Sequence, residues 1–310
     1  MRIPKDSVFL FLKGIGMGAA DIIPGVSGGT IAFITGIYEE LITSIKSVDF
    51  EALKLLTSGK FLLFWEKING SFLTVLLSGI LVSLISLAKL LTSLLETHPI
   101  QLWSFFFGLV LVSALVVSRD IRKWKVMVVV SFLLGCLIAF LITQIAPAET
   151  PHSIPWIFFS GTIAICAMIL PGISGSFLLI MLGKYIFIVK ALTEFDLKII
   201  LVFSSGCLLG LMAFSRVISW LFNKYRDITI AALAGFMIGS LNKVWPWKQT
   251  VSTFIDRHGV VKPLIQENIL PNSYQALGHE AFLWQAVLFM VLGVGLVVFL
   301  EKLAINLKNG

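Results

Sequence analysis

Pro24-Gly25-Val26-Ser27-Gly28 and Pro171-Gly172-Ile173-Ser174-Gly175 are one motif written twice, each time inside an apolar segment. Proline lacks a backbone N–H and its ring clashes with the preceding turn, so each motif breaks a helix. Away from water, a broken helix leaves N–H and C=O groups unpaired at several kcal/mol each. Such a break persists where those groups face protein or a polar ligand. In the first, Gly25, Gly28 and Gly29 let backbone approach a ligand, and Ser27 and Thr30 add hydroxyl donors. A helix restarting there directs free N–H groups and its positive dipole end to the same point. That donor chemistry suits an anion, phosphate or carboxylate. Pro171, Gly172, Ser174, Gly175 and Ser176 repeat the set. A lone Pro-Gly pair is more simply a kink between packed helices; two matched breaks favour a ligand.

Lys89 and Arg216 are the next candidates, each a cation within an apolar run. A mid-membrane cation costs about 2.5–3.5 kcal/mol on insertion scales, so it usually serves a pathway or a partner. A phosphate shared between the breaks and these cations would satisfy both. The competing reading is snorkelling, since each lies near its segment's end. Asp21, just before the first break, is a candidate to titrate, to bind a coupling cation, or to pair with Lys89. Glu39 and Glu40 are weaker candidates for proton coupling, because arm length sets them near the interface. Trp245 and Trp247 read as interfacial anchors. Cys136, Cys166 and Cys207 lie in apolar runs without CxxC pairing, and the four histidines have no metal-ligand spacing. Neither a disulfide, a metal, a cofactor nor a hydrolase triad is expected.

The elements that position these residues are membrane helices. Of 310 residues 13% are charged and 57% apolar, with mean hydropathy +0.96, too apolar for one soluble core. The net charge of +7 sits mostly in short links, which reads as membrane topology and not nucleic-acid binding. The first half holds apolar segments Val8–Ile22, Thr30–Ile45, Ser71–Leu95, Leu102–Ser118 and Val126–Ile145. The second holds Ile154–Leu170, Ser176–Ala191, Ile199–Phe222, Ile228–Leu241 and Ala281–Leu300. Lys46–Gly70 and the polar stretch Asn242–Glu280 are the long links. The N-terminus, despite Arg2 and Lys5 before an apolar run, reads as retained, because Lys13 interrupts the run and the region has a counterpart later in the chain.

The halves repeat in detail: Gly36 meets Gly183, Tyr38 meets Tyr185, Asp49 meets Asp196, Lys89 meets Arg216, and Gly108 meets Gly235. Each arm beside the first break, Lys13–Ile22 and Thr30–Tyr38, has about nine residues and rises about 14 Å, roughly half the hydrocarbon layer. The break therefore makes a re-entrant hairpin. Three crossings then remain per half, an odd number, so the second half is inverted. With the N-terminus cytoplasmic, inside links hold 15 Lys and Arg and outside links seven, as the positive-inside rule requires; Lys184, Lys190 and Lys198 run against the bias. The expected architecture is an all-α polytopic membrane protein of two inverted repeats, 1–148 and 149–310. Each is a re-entrant hairpin plus three transmembrane helices, a pattern that points to a transport site between the breaks.

The run Gly18–Leu41, GAADIIPGVSGGTIAFITGIYEEL, strongly resembles the bacterial polyprenyl-phosphate translocase family, and LPGISGSF at Leu170–Phe177 fits the same family. The resemblance implies a bacterial plasma-membrane protein that returns undecaprenyl phosphate, the lipid carrier of cell-wall precursors, from the outer to the cytoplasmic leaflet. The family motif falls on Asp21, Pro24, Gly25, Ser27, Gly28, Gly29 and Thr30, and on Pro171, Gly172, Ser174 and Gly175; Lys89 and Arg216 come from the physical argument alone. The head phosphate cannot cross hydrocarbon unaided, whereas the isoprenoid tail can stay in lipid. A groove between the hairpins, open to the membrane, is therefore expected.

Two rivals stand beside this reading. Undecaprenyl-diphosphate phosphatases are similar in having inverted repeats, re-entrant hairpins and a Pro-Gly-x-Ser-Arg-Ser signature. Gly28 and Gly175 stand where that signature has its arginine, which removes the clamp on a transferring phosphoryl group. A secondary transporter of a small soluble anion is the other; coupling to a proton or sodium gradient is an expectation for the lipid-transport reading.

Overall fold

A computed structural model of the chain describes residues 7–23, 26–145, 147, 148, 150–255 and 261–309. Pro24 and Gly25 lie outside the described residues. Helices α1 (Ser7–Ile22) and α2 (Gly28–Ile34) flank the first break. Then follow α3 (Tyr38–Lys46), α4 (Phe50–Thr57), α5 (Phe61–Lys67), α6 (Gly70–Thr97), α7 (Pro99–Ser118) and α8 (Val126–Gln144). Helices α9 (Ile154–Ile169) and α10 (Gly175–Met181) flank the second break, followed by α11 (Tyr185–Thr193), α12 (Leu197–Lys224) and α13 (Arg226–Ser240). Strands β1 (Lys248–Ile255) and β2 (Val261–Asn268), α14 (Pro271–Ala276) and α15 (Leu283–Asn309) complete the chain.

Among the described residues, α6, α7, α8, α12 and α15 are long and apolar enough to cross a membrane, and α10 with α11 forms an apolar pair bent by 110°. Leu77, Leu81 and Ile85 on α6, Leu133 and Leu137 on α8, and Leu201 and Leu208 on α12 are exposed. Apolar faces this continuous belong against lipid. The chain is a multi-pass membrane protein. Helix α7 is the enclosed one, and its Leu109, Val110, Ala114 and Val117 join the main core with Leu76 of α6, Val128 of α8 and Ala234 of α13.

Four pairs of corresponding elements agree in length, whereas α7 and α13 have 20 and 15 residues and α8 and α15 have 19 and 27. Helices α1 and α9 have 16 residues each, α2 and α10 seven, α3 and α11 nine, and α6 and α12 28. Their packing agrees too. Helix α1 lies along α6 with the Gly79 backbone against the carbonyl oxygen of Phe11, and α9 lies along α12 with Gly206 against that of Phe158. Gly108 of α7 meets Met290 of α15, and Gly235 of α13 meets Phe132 of α8. In lipid, where apolar surface alone drives no association, this backbone approach gives the dispersion contact that joins helices.

The structure refines the segments in three places. Thr30–Ile45 and Ser176–Ala191 are each two helices, parted by left-handed turns at Gly36 (φ 72°) and Gly183 (φ 64°), which only glycine adopts without strain. The link Lys46–Gly70 folds into α4 and α5, so the first half carries an insertion before its long helix. Asp49 caps α4 by accepting Ala52 N–H at 2.9 Å, whereas its partner Asp196 caps α12 directly. Within Asn242–Glu280, β1 and β2 pair antiparallel from Lys248↔Asn268 to Ile255↔Val261, a hairpin that helical periodicity could not announce. Trp247 is buried with its indole N–H on Ala281 O at 2.9 Å; it is a core residue of this cap and not an interfacial anchor.

Candidate functional site

The first break is held from within its own hairpin. Asp21 Oδ1, at the end of α1, accepts Gly28 N–H at 2.7 Å; Ser27 Oγ accepts Gly29 N–H at 3.1 Å; Ser27 O accepts Thr30 N–H at 2.9 Å. The opening amides of α2 therefore already have acceptors, which revises the expectation that they are free for a ligand. Asp21 is a cap for this turn and does not pair with Lys89. A Cβ at Gly28 would lie 2.6 Å from Asp21 Oδ2, so only glycine leaves the carboxylate its place.

The second break is built differently. Its position matching Asp21 is Met168, and the N-cap Ser174 makes no side-chain capping bond. Ser174 Oγ instead meets Ser176 Oγ at 2.7 Å. Gly172 takes φ 94°, and a Cβ there would lie 2.6 Å from Ser240 Oγ, so the end of α13 closes on this turn. Pro171 is buried beside it.

The two breaks meet. Thr30 Oγ1 accepts Gly172 N–H at 2.9 Å, and Ser27 Oγ donates to the carbonyl oxygens of Leu170 and Met168 at 3.2 and 3.3 Å. Ser27 and Thr30 are fully buried. The hydroxyls read from sequence as ligand donors thus join the hairpins to one another.

Lys89 and Arg216 stand level with the breaks on the long helices. Gly18 packs against Ile80 and Ser83 of α6, and Leu91 packs on the cluster that holds Ile23 and Val26 beside the first break. Gly210 packs against Thr162 and Ile165 of α9, and Arg216 lies beyond it toward the second break. Lys89 is exposed, and Arg216 donates to Met212 O of its own helix at 2.7 Å. The structure does not bring either into the tip-to-tip network. Glu39 pairs with Arg226 at 2.7 Å and Glu40 accepts from Asn69 at 2.9 Å, both beyond Gly36 and away from the breaks.

A feature absent from the sequence reading lies over both tips. The turn between α13 and β1 places Val244 in one buried cluster with Ile23 and Val26 of the first hairpin and Phe106 of α7. The same turn sets Lys243 Nζ 4.5 Å from the ring centre of Phe177, in α10 of the second. Lys248 Nζ lies 3.9 Å from the Trp103 ring and donates to Lys243 O at 2.6 Å. As members of a polar link these lysines read as ordinary solvated charges; only the turn's return onto the tips distinguishes them. Beside them runs a groove of about 720 Å³, walled by Phe107, Leu133, Leu137, Phe140 and Ile238, with Asn242, Trp245 and Asn268 among its lining. Among the described residues no cluster of ligating side chains could hold a metal.

The family described as undecaprenyl phosphate translocase-like matches residues 17–262, which include both breaks and the turn above them. The chain belongs to this family. A relative from Vibrio cholerae serotype O1 (strain ATCC 39315 / El Tor Inaba N16961), named polyprenyl-phosphate transporter, is 45% identical, with 95% of this chain and 96% of the relative covered. A second relative of that name, from Staphylococcus aureus (strain NCTC 8325 / PS 47), is 32% identical over 76% of this chain and 85% of its own length. No solved structure gives a significant match to this family member.

Proposed function

We propose that this protein transports a polyprenyl phosphate, undecaprenyl phosphate, across the bacterial plasma membrane from the outer to the cytoplasmic leaflet. Membership of the translocase-like family over residues 17–262 carries the reading, and the relatives named polyprenyl-phosphate transporter support it. The fold supplies what such a substrate needs. A charged head requires polar groups within the membrane protein; Thr30 and Gly172 hold the two broken hairpins together, and Lys243 lies at the second of them. A long tail requires only an apolar surface open to lipid, and the groove along α8 and α13 is one.

The halves act as inverted repeats with both termini cytoplasmic, so the hairpins enter from opposite sides and their tips meet between the leaflets. Agreement in length of four helix pairs and of the glycine contacts supports the repeat, and the charge bias of the links supports the orientation. The head is held at the tips and exposed to alternate sides, with Lys89 and Arg216 flanking the breaks from the lipid side. Asp21, Glu39 and Glu40 are the carboxylates through which a proton or sodium gradient would couple.

Gly28 and Gly175 stand where the phosphatase signature has its arginine, and a side chain at either would be crowded. An arginine at position 28 would meet the Asp21 carboxylate within 2.6 Å of its Cβ, and one at 175 would meet Ala164 O at 2.6 Å. The decisive experiment is leaflet-resolved transport of undecaprenyl phosphate in liposomes, with and without a proton or sodium gradient. Protein-dependent movement is expected, slowed in Lys89→Ala and Arg216→Ala at normal expression. Liposomes that show no such movement would overturn the reading, and phosphate release from undecaprenyl diphosphate would replace it with an enzyme.

A further inference from the structure

We propose that Lys243 and Lys248 form a paired ammonium site for a phosphate monoester at the hairpin tips. This rests on the transport reading, in which that phosphate is the lipid head group.

Placement comes first. Val244 is buried in one cluster with Ile23, Val26 and Phe106, and Lys243 reaches the ring of Phe177. One short turn therefore joins the tip regions of both hairpins, with Lys243 on the second and Lys248 tied to it through the Lys243 carbonyl.

The second observation is missing counter-charge. Among the described residues neither lysine forms an ion pair, although five such pairs occur elsewhere in the chain. A snorkelling lysine sends its ammonium to water, whereas these two turn theirs onto the faces of Phe177 and Trp103. Both lysines are half-buried, an aromatic face returns about 0.5–2 kcal/mol to a cation, and Lys248 also donates to Lys243 O at 2.6 Å, but none of these contacts supplies negative charge. Neighbouring like charges add to that deficit. An arriving anion removes it for both lysines at once.

Chemistry selects the anion. A phosphate monoester carries up to two negative charges and three terminal oxygens, enough to accept from both ammonium groups. A single carboxylate balances only one. The apolar groove includes Asn242 and Trp245, which bracket Lys243 in the chain, so an amphiphile could place its head at the lysines and its tail along α8 and α13.

The test uses the full chain in nanodiscs, with farnesyl phosphate and inorganic phosphate as separate probes in a binding titration. The expected result is that Lys243→Gln and Lys248→Gln each weaken phosphate binding about tenfold or more, as loss of a charge-assisted hydrogen bond does, while Lys243→Arg and Lys248→Arg largely retain it. Unchanged affinity in the glutamine variants, or no binding by the wild type, overturns the proposal. Tighter binding of farnesyl phosphate than of inorganic phosphate supports a lipid source. Equal or tighter binding of the free ion supports the lysine pair and counts against lipid transport. If a variant does not fold, amine-selective acylation of the wild type, read by mass spectrometry, takes its place. Protection of Lys243 and Lys248 by either probe supports the site, and equal labelling with and without both probes overturns it.

Discussion

Thr30 Oγ1 accepts the backbone N–H of Gly172 at 2.9 Å, so a hydroxyl on one hairpin completes the broken backbone of the other. The bond is buried, and Ser27 reinforces it through the carbonyl oxygens of Leu170 and Met168. The two breaks therefore form one polar unit, and a change at either is felt by both.

Thr30→Val keeps the shape of the side chain and removes the acceptor. The Gly172 N–H is then buried without a partner, a cost of about 1–3 kcal/mol. Thermal unfolding in nanodiscs should show a lower midpoint for Thr30→Val and nearly wild-type behaviour for Thr30→Ser. Equal midpoints for all three would show that the contact does not hold the tips together.

Asp21 supplies the acceptor that Gly28 N–H would otherwise lack. Loss of such a cap costs about 0.5–2 kcal/mol. Asp21→Ala should destabilise the protein by this order, while Asp21→Asn, which still offers an oxygen, should cost less. Comparing the transport rates of Asp21→Asn and wild type then separates the cap from any role of the charge in ion coupling.

Gly79 and Gly206 hold the backbones of α1–α6 and α9–α12 together. A side chain at either position must overlap a carbonyl oxygen, and overpacking of this kind typically costs about 1–3 kcal/mol. Gly79→Val and Gly206→Val should lower stability by similar amounts. A large loss in one and none in the other would argue against equivalent packing in the two halves.

Lys243 and Lys248 predict a pH dependence. Burial lowers the pKa of both below the ordinary lysine range, and the charge of Lys243 lowers that of Lys248 further. Between the lowered values and the unfolded value of about 10.4, the folded chain binds fewer protons than the unfolded one. Stability without ligand is therefore greatest above the unfolded value and is lost as pH falls toward the folded values. A bound phosphate favours the ammonium form, so binding takes up protons and weakens as pH rises through the same window. Titrations of farnesyl phosphate at several alkaline pH values should show this slope in the wild type and a flatter one in Lys243→Gln/Lys248→Gln.

Much of the fold was legible in the chain because its causes are local. Apolar runs of sufficient length must be membrane helices, and proline with glycine must interrupt them at the two motifs, whereas the left-handed turns at Gly36 and Gly183 lie inside runs that read as continuous. The repeated Pro-Gly-aliphatic-Ser-Gly motif located the two breaks, and the resemblance it carries named the family. Partners across the breaks were not legible. Donors at Ser27, Thr30 and the amides of Gly28 and Gly29 could be counted from sequence, but whether they face a ligand or each other depends on how two distant hairpins dock. Tertiary structure decided that Asp21 and Ser27 occupy the first set of amides and that Thr30 reaches Gly172. It also decided which cations matter at the tips. Lys89 and Arg216 stood out because an apolar run makes a charge conspicuous, whereas Lys243 and Lys248 were hidden in a polar link. Their distinction is the pair of aromatic faces they meet, Phe177 and Trp103, contacts that arise only when that link folds back onto the helices.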